Sequence, residues 1–227
     1  MNDYDRAFRE FILPMVNDSR KELLDNVIQY RTRYLTVVLE DIYLPQNASA
    51  VLRTCDCFGI QDVTIIENRN AFELNPEVER GAAQWLTLHK FNTKKNNTPD
   101  AILSLKEQGY RIVATSPHTS ESNLSSFSLE KGKTALVMGT EWEGISKTVQ
   151  EMADEFLNIP MFGFTESLNL SVSAAIILQQ LSTKLRDSEI LWRLQESEKE
   201  EIMYKWLRNS IHRLNPIERA FKKNYIG

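Results

Sequence analysis

The amino-acid sequence predicts an α/β fold: a mostly parallel sheet with helices on both faces. Short apolar, β-branched runs alternate with helical stretches of about ten residues, the pattern that crossover connections impose on parallel strands. The strand runs are short and flanked by turn residues. Two of the helical stretches stop at a glycine, Gly59 and Gly109, where a left-handed residue closes a helix.

The elements follow in order. Leu23, Leu24, Val27 and Ile28 have helical spacing, and Asp18 or Ser19 can cap that helix, with Glu22 completing a capping box after Ser19. Leu35–Leu39 reads as a buried strand. A helix is expected from Ala48 to Phe58, a strand at Val63–Ile66, a helix at Ala101–Gln108 and a strand at Tyr110–Ala114. Then come a strand at Thr134–Met138, a helix at Ile145–Met152, a strand at Phe156–Ile159 and a long apolar helix at Leu168–Arg186. Near the end, Ile202, Met203, Trp206, Leu207, Ile211 and Leu214 form one helical stripe. The chain divides into a helical N-terminal extension, 1–33, a core, 34–187, and a helical C-terminal extension, 188–227.

Composition narrows the class. Of 227 residues 42% are apolar and 26% charged, an ordinary balance for a globular protein, and the net charge of −4 excludes a chain that is basic all over. No apolar run reaches the roughly 18 residues of a membrane span, and Met1–Pro14 lacks the apolar core of a signal peptide. These features imply a cytoplasmic protein. Cys55 and Cys57 diverge on a helix, so they read as two small core residues rather than a disulfide, and two cysteines without a further Cys or His cluster predict no metal site.

In a parallel sheet, ligands bind beyond the carboxyl ends of the strands, and three loops there carry polar residues. In Leu44–Thr54, Asn47 is placed to cap the following helix. Arg53, six residues on and near the same face, either pairs with a carboxylate or waits for a phosphate. In Leu136–Ser146, a strand runs into Gly139 and a second glycine, Gly144, follows. Such glycines let backbone approach a ligand, and Glu141 stands between them. In Ile159–Ala174, Ser167 and Asn169 open an apolar helix. Ser167 can act as its cap, while a buried Asn169 amide would need partners. Neither a dinucleotide fingerprint nor a phosphate loop is present.

Taken together, Asn47 with Arg53–Thr54, Met138–Glu141 with Gly144, and Ile159–Met161 with Ser167–Asn169 resemble the three ordered motifs of the SpoU (TrmH-like) RNA 2′-O-ribose methyltransferases of the SPOUT superfamily. The resemblance spans about Tyr34 to Lys184. The segment Leu44–Asp56, with serine at position 49, is similar to the TrmH branch, which methylates a guanosine ribose, guanosine 18, in the tRNA D-loop.

The resemblance implies a C-terminal trefoil knot, a fold feature that is rare. It also implies S-adenosyl-L-methionine (SAM) as cofactor, held largely by backbone at Thr115, Gly139, Ile159 and Leu168, with Ser116 a neighbouring possibility. Arg53 matches the family's essential arginine, assigned to activate the ribose 2′-hydroxyl. Because a guanidinium keeps its proton in proteins, its preferred role is to hold an RNA phosphate and stabilise charge developing on the 2′-oxygen. Asn47, Glu141, Ser167 and Asn169 would position Arg53 and the ribose. A homodimer is implied as well, with the apolar helix from Ser167 to Leu181 serving either the interface or the core.

Basic residues at both ends are the expected tRNA-binding surface: Arg20, Lys21, Arg31 and Arg33, then Arg208 and Arg213. The acidic stretch Glu196–Glu201 opposes that role for the whole last helix. Trp142 and Trp85 are candidates for stacking on a base, Trp85 with the stronger claim to the core. His89 and His118 have no evident partner. About thirty residues before the first strand are too few for an added RNA-binding domain, which favours tRNA over ribosomal RNA. The same chemistry on another RNA, and an RNA-binding protein without catalysis, remain as alternatives.

Overall fold

The computed structural model describes residues 1–116 and 122–225; His118 lies outside them. The chain forms two compact units, Thr32–Trp192 and a unit joining Met1–Arg31 with Arg193–Gly227. The expected core, 34–187, thus lies inside a slightly longer unit. Thr32 belongs to it because its backbone bridges to Ile60 and its hydroxyl donates to the Trp192 carbonyl at 2.7 Å. The two extensions expected separately share the other unit.

In that terminal unit, α1 (Asp3–Ile12) and α2 (Asp18–Ile28) come from the start of the chain. Helix α2 is capped by Asn17, whose side chain accepts from the Arg20 N–H at 2.8 Å, not by Asp18 or Ser19. Both lie inside the first turn, one and two residues beyond the cap.

The larger unit runs β1 (Leu35–Glu40), α3 (Pro45–Cys57), β2 (Asp62–Ile66), α4 (Pro76–Glu79), β3 (Thr87–Phe91), α5 (Thr98–Glu107) and β4 (Arg111–Thr115). It continues with β5 (Ser122–Asn123), β6 (Thr134–Met138), α6 (Lys147–Met152), β7 (Glu155–Asn158) and α7 (Leu170–Arg186). Among the described residues these strands make one seven-stranded sheet, ordered β3-β2-β1-β6-β4-β7-β5, with every pair parallel. Alternate strand residues face opposite sides. Val37, Leu39, Val63, Leu136 and Met138 pack with Val51, Leu52, Ile177, Leu178 and Leu181 of α3 and α7. Val38, Ile66, Ile112, Ala114 and Val137 pack instead with Ala101, Ile102, Leu105 and Val149 of α5 and α6. Helices therefore cover both faces, as expected.

The chain first builds outward from β1 through β2 to β3, then crosses to β4 on the far side of β6. The order reverses between β1 and β6, and the carboxyl ends there form the crevice in which parallel α/β sheets bind ligands.

The terminal unit is completed by α8 (Glu196–Asn209) and α9 (Leu214–Asn224). Ile202, Trp206 and Leu207 are its buried stripe, while Ile211 and Leu214 fall beyond the end of α8. Phe221 stacks into an aromatic cluster with Tyr4, Phe8, Phe11 and Tyr225, at 4.9–5.7 Å between ring centroids. Among the described residues, no helix is long and apolar enough to cross a membrane.

Candidate active site

At the reversal point lies a cavity of about 560 Å³, within the roughly 300–1,000 Å³ of small-molecule sites. Loops after β1, β4, β6 and β7 line it. Of the nine expected catalytic and cofactor-binding residues, Asn47, Thr115, Gly139, Glu141, Ile159, Ser167, Leu168 and Asn169 lie in its wall. Arg53 does not.

The three sequence loops meet through one chain of side-chain hydrogen bonds. Asn169 Nδ2 donates to Asn47 Oδ1 at 3.1 Å, and Asn47 Nδ2 donates to Glu141 Oε1 at 2.8 Å. The Glu141 carboxylate also accepts from the Tyr43 and Leu44 N–H groups, each at 3.3 Å. Asn47 is not a cap: α3 begins at Pro45, which fits the first helical turn because it needs no donor there, so Asn47 is buried inside that turn. Asn169, not Ser167, caps α7, its side chain accepting from the Ser171 N–H at 2.8 Å. Asn169 is exposed rather than buried, and Ser167 lies exposed in the loop before the helix.

Arg53 corrects a second expectation. Six residues along a helix is about 600°, or 240° around the axis, so Arg53 does not share the Asn47 face. It is exposed on α3, and among the described residues its side chain has no ion pair or hydrogen bond. Cys55 and Cys57 diverge as helical neighbours must, but only Cys55 is buried; Cys57 is exposed.

The loop after β6 is a tight turn. Thr140 N–H donates to the Gly144 carbonyl at 2.9 Å and Gly144 N–H donates back at 3.0 Å. Gly144 has φ +70°, and a Cβ on Gly139 would collide with the Gly144 backbone. Only glycine fits at 139, and glycine adopts the conformation at 144 without strain. Three ties hold this loop to the end of β1. Glu141 is bound by Asn47. Arg69 donates to Glu143 Oε2 at 2.7 Å and to Asp41 Oδ2 at 3.0 Å. Ser146, the cap of α6, donates to the buried Glu40 at 2.7 Å.

Sequence reasoning missed Glu40, Asp41, Arg69 and Ser146, and one signal was available. Asp41 follows a strand directly and adopts φ +58°, a conformation that Asp and Asn tolerate better than most residues. Its carboxylate accepts from the N–H groups of Asn68, Arg69 and Asn70 at 2.8–3.0 Å. Burial alone would raise its pKa, but these donors and the Arg69 guanidinium hold it below the usual carboxylate value. The Arg69 hydrogen bond lowers that of Glu143 as well.

The cavity wall is mixed in character. Met138, Leu157 and Ile177 give apolar surface, and Thr115, Ser116 and Asn169 give polar groups. Thr115 donates its hydroxyl to the Val137 carbonyl at 3.1 Å. Among the described residues, no group of three or more His, Cys, Asp or Glu side chains can hold a metal ion.

The expected RNA-binding residues divide. Arg31 is 2% exposed, its guanidinium 5.1 Å from the Trp206 ring centroid. Arg33 donates to Asp62 at 2.8 Å. Arg208 forms a two-pronged pair with Glu218, both contacts at 2.8 Å, and sits 5.5 Å from the Phe8 centroid. These three are committed to internal partners. Arg20 and Arg213 are exposed, and Lys21 pairs with Asp18 on its own helix. His89 does have a partner, Asp62, 3.3 Å from its Nε2. Trp85 is half-buried and Trp142 exposed.

Fold and site together define an enzyme of the parallel α/β class that binds a small molecule at the switch point of its sheet. The model of the SpoU rRNA methylase family matches residues 34–179, and the chain belongs to that family of SAM-dependent methyltransferases. The chain is similar to a tRNA (guanosine(18)-2′-O)-methyltransferase of Borreliella burgdorferi, with 41% identity over 89% of this chain and 91% of that protein. It is also similar to the crystal structure of a TrmH/SpoU tRNA modifying enzyme of Aquifex aeolicus. There the TM-score is 0.76 and the identity 28%, over 86% of this chain and 98% of that one. A SpoU methyltransferase of Streptomyces viridochromogenes, solved with AdoMet, shares the fold. Its TM-score is 0.59 and its identity 22%, over 72% of this chain and 65% of that one.

Proposed function

We propose that the protein transfers the methyl group of SAM to the 2′-hydroxyl of guanosine 18 in the D-loop of tRNA. The observation that carries this is the Asn169–Asn47–Glu141 chain, which joins all three family motifs in the wall of one cavity. Similarity to the Borreliella burgdorferi enzyme over most of both chains supports the substrate. SAM, when bound, supplies the reactive methyl group. The cavity suits it: Met138, Leu157 and Ile177 offer apolar surface that would take an adenine ring, and Thr115, Ser116 and strand-end backbone offer polar groups that would take a ribose and an amino acid. Thr115, Gly139, Ile159 and Leu168 would hold it.

Asn47, Glu141, Ser167 and Asn169 position the target ribose. Arg53 holds an RNA phosphate and stabilises charge growing on the 2′-oxygen; its exposure, with no side-chain partner among the described residues, leaves it available for this. Aligning two reactants in this way supplies much of the rate enhancement of such enzymes.

A homodimer belongs to the same proposal. Val172 and Ile176, one turn apart on α7, are 45% and 38% exposed, and Leu168, in the cavity wall just before the helix, is 37% exposed. Helix α7 thus carries a second apolar face besides the one in the core, and a second copy covering it would complete the site. The 34–187 core would carry the methyltransferase activity, its last segment tucked into a trefoil knot. Arg20, Lys21 and Arg213 would contact tRNA, and the protein would work in the cytoplasm with its substrate.

The test is methyl transfer from labelled SAM to unmodified tRNA, with nuclease mapping of the product. Label at the ribose of guanosine 18 is expected. Label at another tRNA ribose would overturn the position, label only in ribosomal RNA the substrate, and no label in any RNA the activity.

A further inference from the structure

Trp142 is 85% exposed yet lines the cavity. Among the described residues, its indole has no ring contact or hydrogen bond. Its backbone, in contrast, is firmly held. It stands at the tip of the Thr140–Gly144 turn, closed by the two backbone hydrogen bonds already described and by the Glu143 N–H donating to Thr140 Oγ1 at 3.0 Å. Both chain neighbours are anchored, Glu141 by Asn47 and Glu143 by Arg69. A large aromatic group left bare in water on a fixed support is preorganised for a partner from outside.

We propose, resting on the RNA methyl-transfer function above, that Trp142 is the platform on which the base of the target nucleotide stacks. A ribose can present its 2′-hydroxyl inside a cavity only if its nucleotide leaves the neighbouring stack, and the unstacked base then needs a new π-face. Trp142 supplies one at the cavity mouth. The flanking carboxylates are engaged with Asn47 and Arg69, which reduces their repulsion of the RNA backbone. Phe162 and Phe164 are also exposed but do not line the cavity, so they are not placed for this base.

The experiment compares wild type, Trp142→Ala and Trp142→Phe in methyl transfer to an unmodified tRNA transcript, to a transcript lacking only the target base, and in SAM binding and sedimentation. Base–aromatic stacking predicts a roughly 5- to 150-fold rise in KM for tRNA in Trp142→Ala. SAM affinity and sedimentation should be unchanged, and Trp142→Phe should recover most of the loss. With the baseless transcript, the gap between wild type and Trp142→Ala should close. An unchanged KM in Trp142→Ala overturns the proposal while leaving methyl transfer intact. A loss accompanied by altered sedimentation overturns it in favour of a contact between subunits. Wild type inactive on every RNA overturns the function and this proposal together.

Discussion

At the scale of single residues, the expected site divides into side chains bonded to one another and one exposed cation. Asn47, Glu141 and Asn169 satisfy one another, so each is fixed before any ligand arrives. Arg53 is the opposite case, exposed and outside the cavity wall. Arg53→Ala should therefore lower methyl transfer by about 10²–10³-fold, the cost of removing one charge-stabilising donor. SAM affinity, measured by calorimetry, should stay within about twofold, since a calorimetric tenfold change would need about 1.4 kcal/mol. Loss of both together would make Arg53 structural. Of the nine residues expected at the site, eight line the cavity: strand ends followed by glycine or polar residues marked Asn47, Gly139, Glu141, Ser167 and Asn169, while Thr115, Ile159 and Leu168 came from the family resemblance. Spacing alone misplaced Arg53, since six residues turn a helix too far. Three of the six basic residues have internal partners that sequence does not show: it gives the charge of Arg33, Arg208 and Arg31 but not the Asp62, Glu218 and Trp206 beside them.

At the scale of elements, the strand ends are organised by polar residues that hydropathy does not reveal. Asp41 turns the chain out of β1 and gathers three backbone donors and Arg69. Asp41→Asn keeps the left-handed backbone conformation accessible and removes only the charge. It should destabilise the protein by about 1.5–3 kcal/mol at neutral pH, as expected for hydrogen bonds to a charged group. The folded-state pKa lies below the unfolded one, so this stabilisation is complete above about pH 4 and is lost as pH falls through the lowered value. In urea melts of both proteins from pH 7 into acid, the gap should therefore narrow as pH falls below the ordinary carboxylate range; a constant gap would show that the charge is not the cause. The buried strands β1, β2, β4 and β6 were legible as apolar runs, and β7 was legible from Phe156 and Leu157. The edge strand β3 was not, since Thr87–Phe91 has only two apolar residues, breaks alternation at His89 and Lys90, and is only partly buried. Nor was β5, two residues long.

At the scale of the whole molecule, the parallel sheet places four loops around one cavity, and the tight turn after β6 is held by hydrogen bonds within itself and to its neighbours. Sequence periodicity predicted the layered α/β unit but not that the two ends of the chain would form one unit of their own. That unit depends on contacts such as Phe8 with Phe221, more than two hundred residues apart, which no local pattern encodes. SAM is expected to bind in this cavity. The most direct test is calorimetric titration of SAM into wild type and Gly139→Ala, with circular dichroism to confirm that both are folded. Any Cβ at position 139 runs into the Gly144 backbone and must open the turn. The expected result is saturable SAM binding by wild type and at least a tenfold weaker affinity for folded Gly139→Ala. Equal affinity in the two proteins, or no binding by wild type, would contradict it.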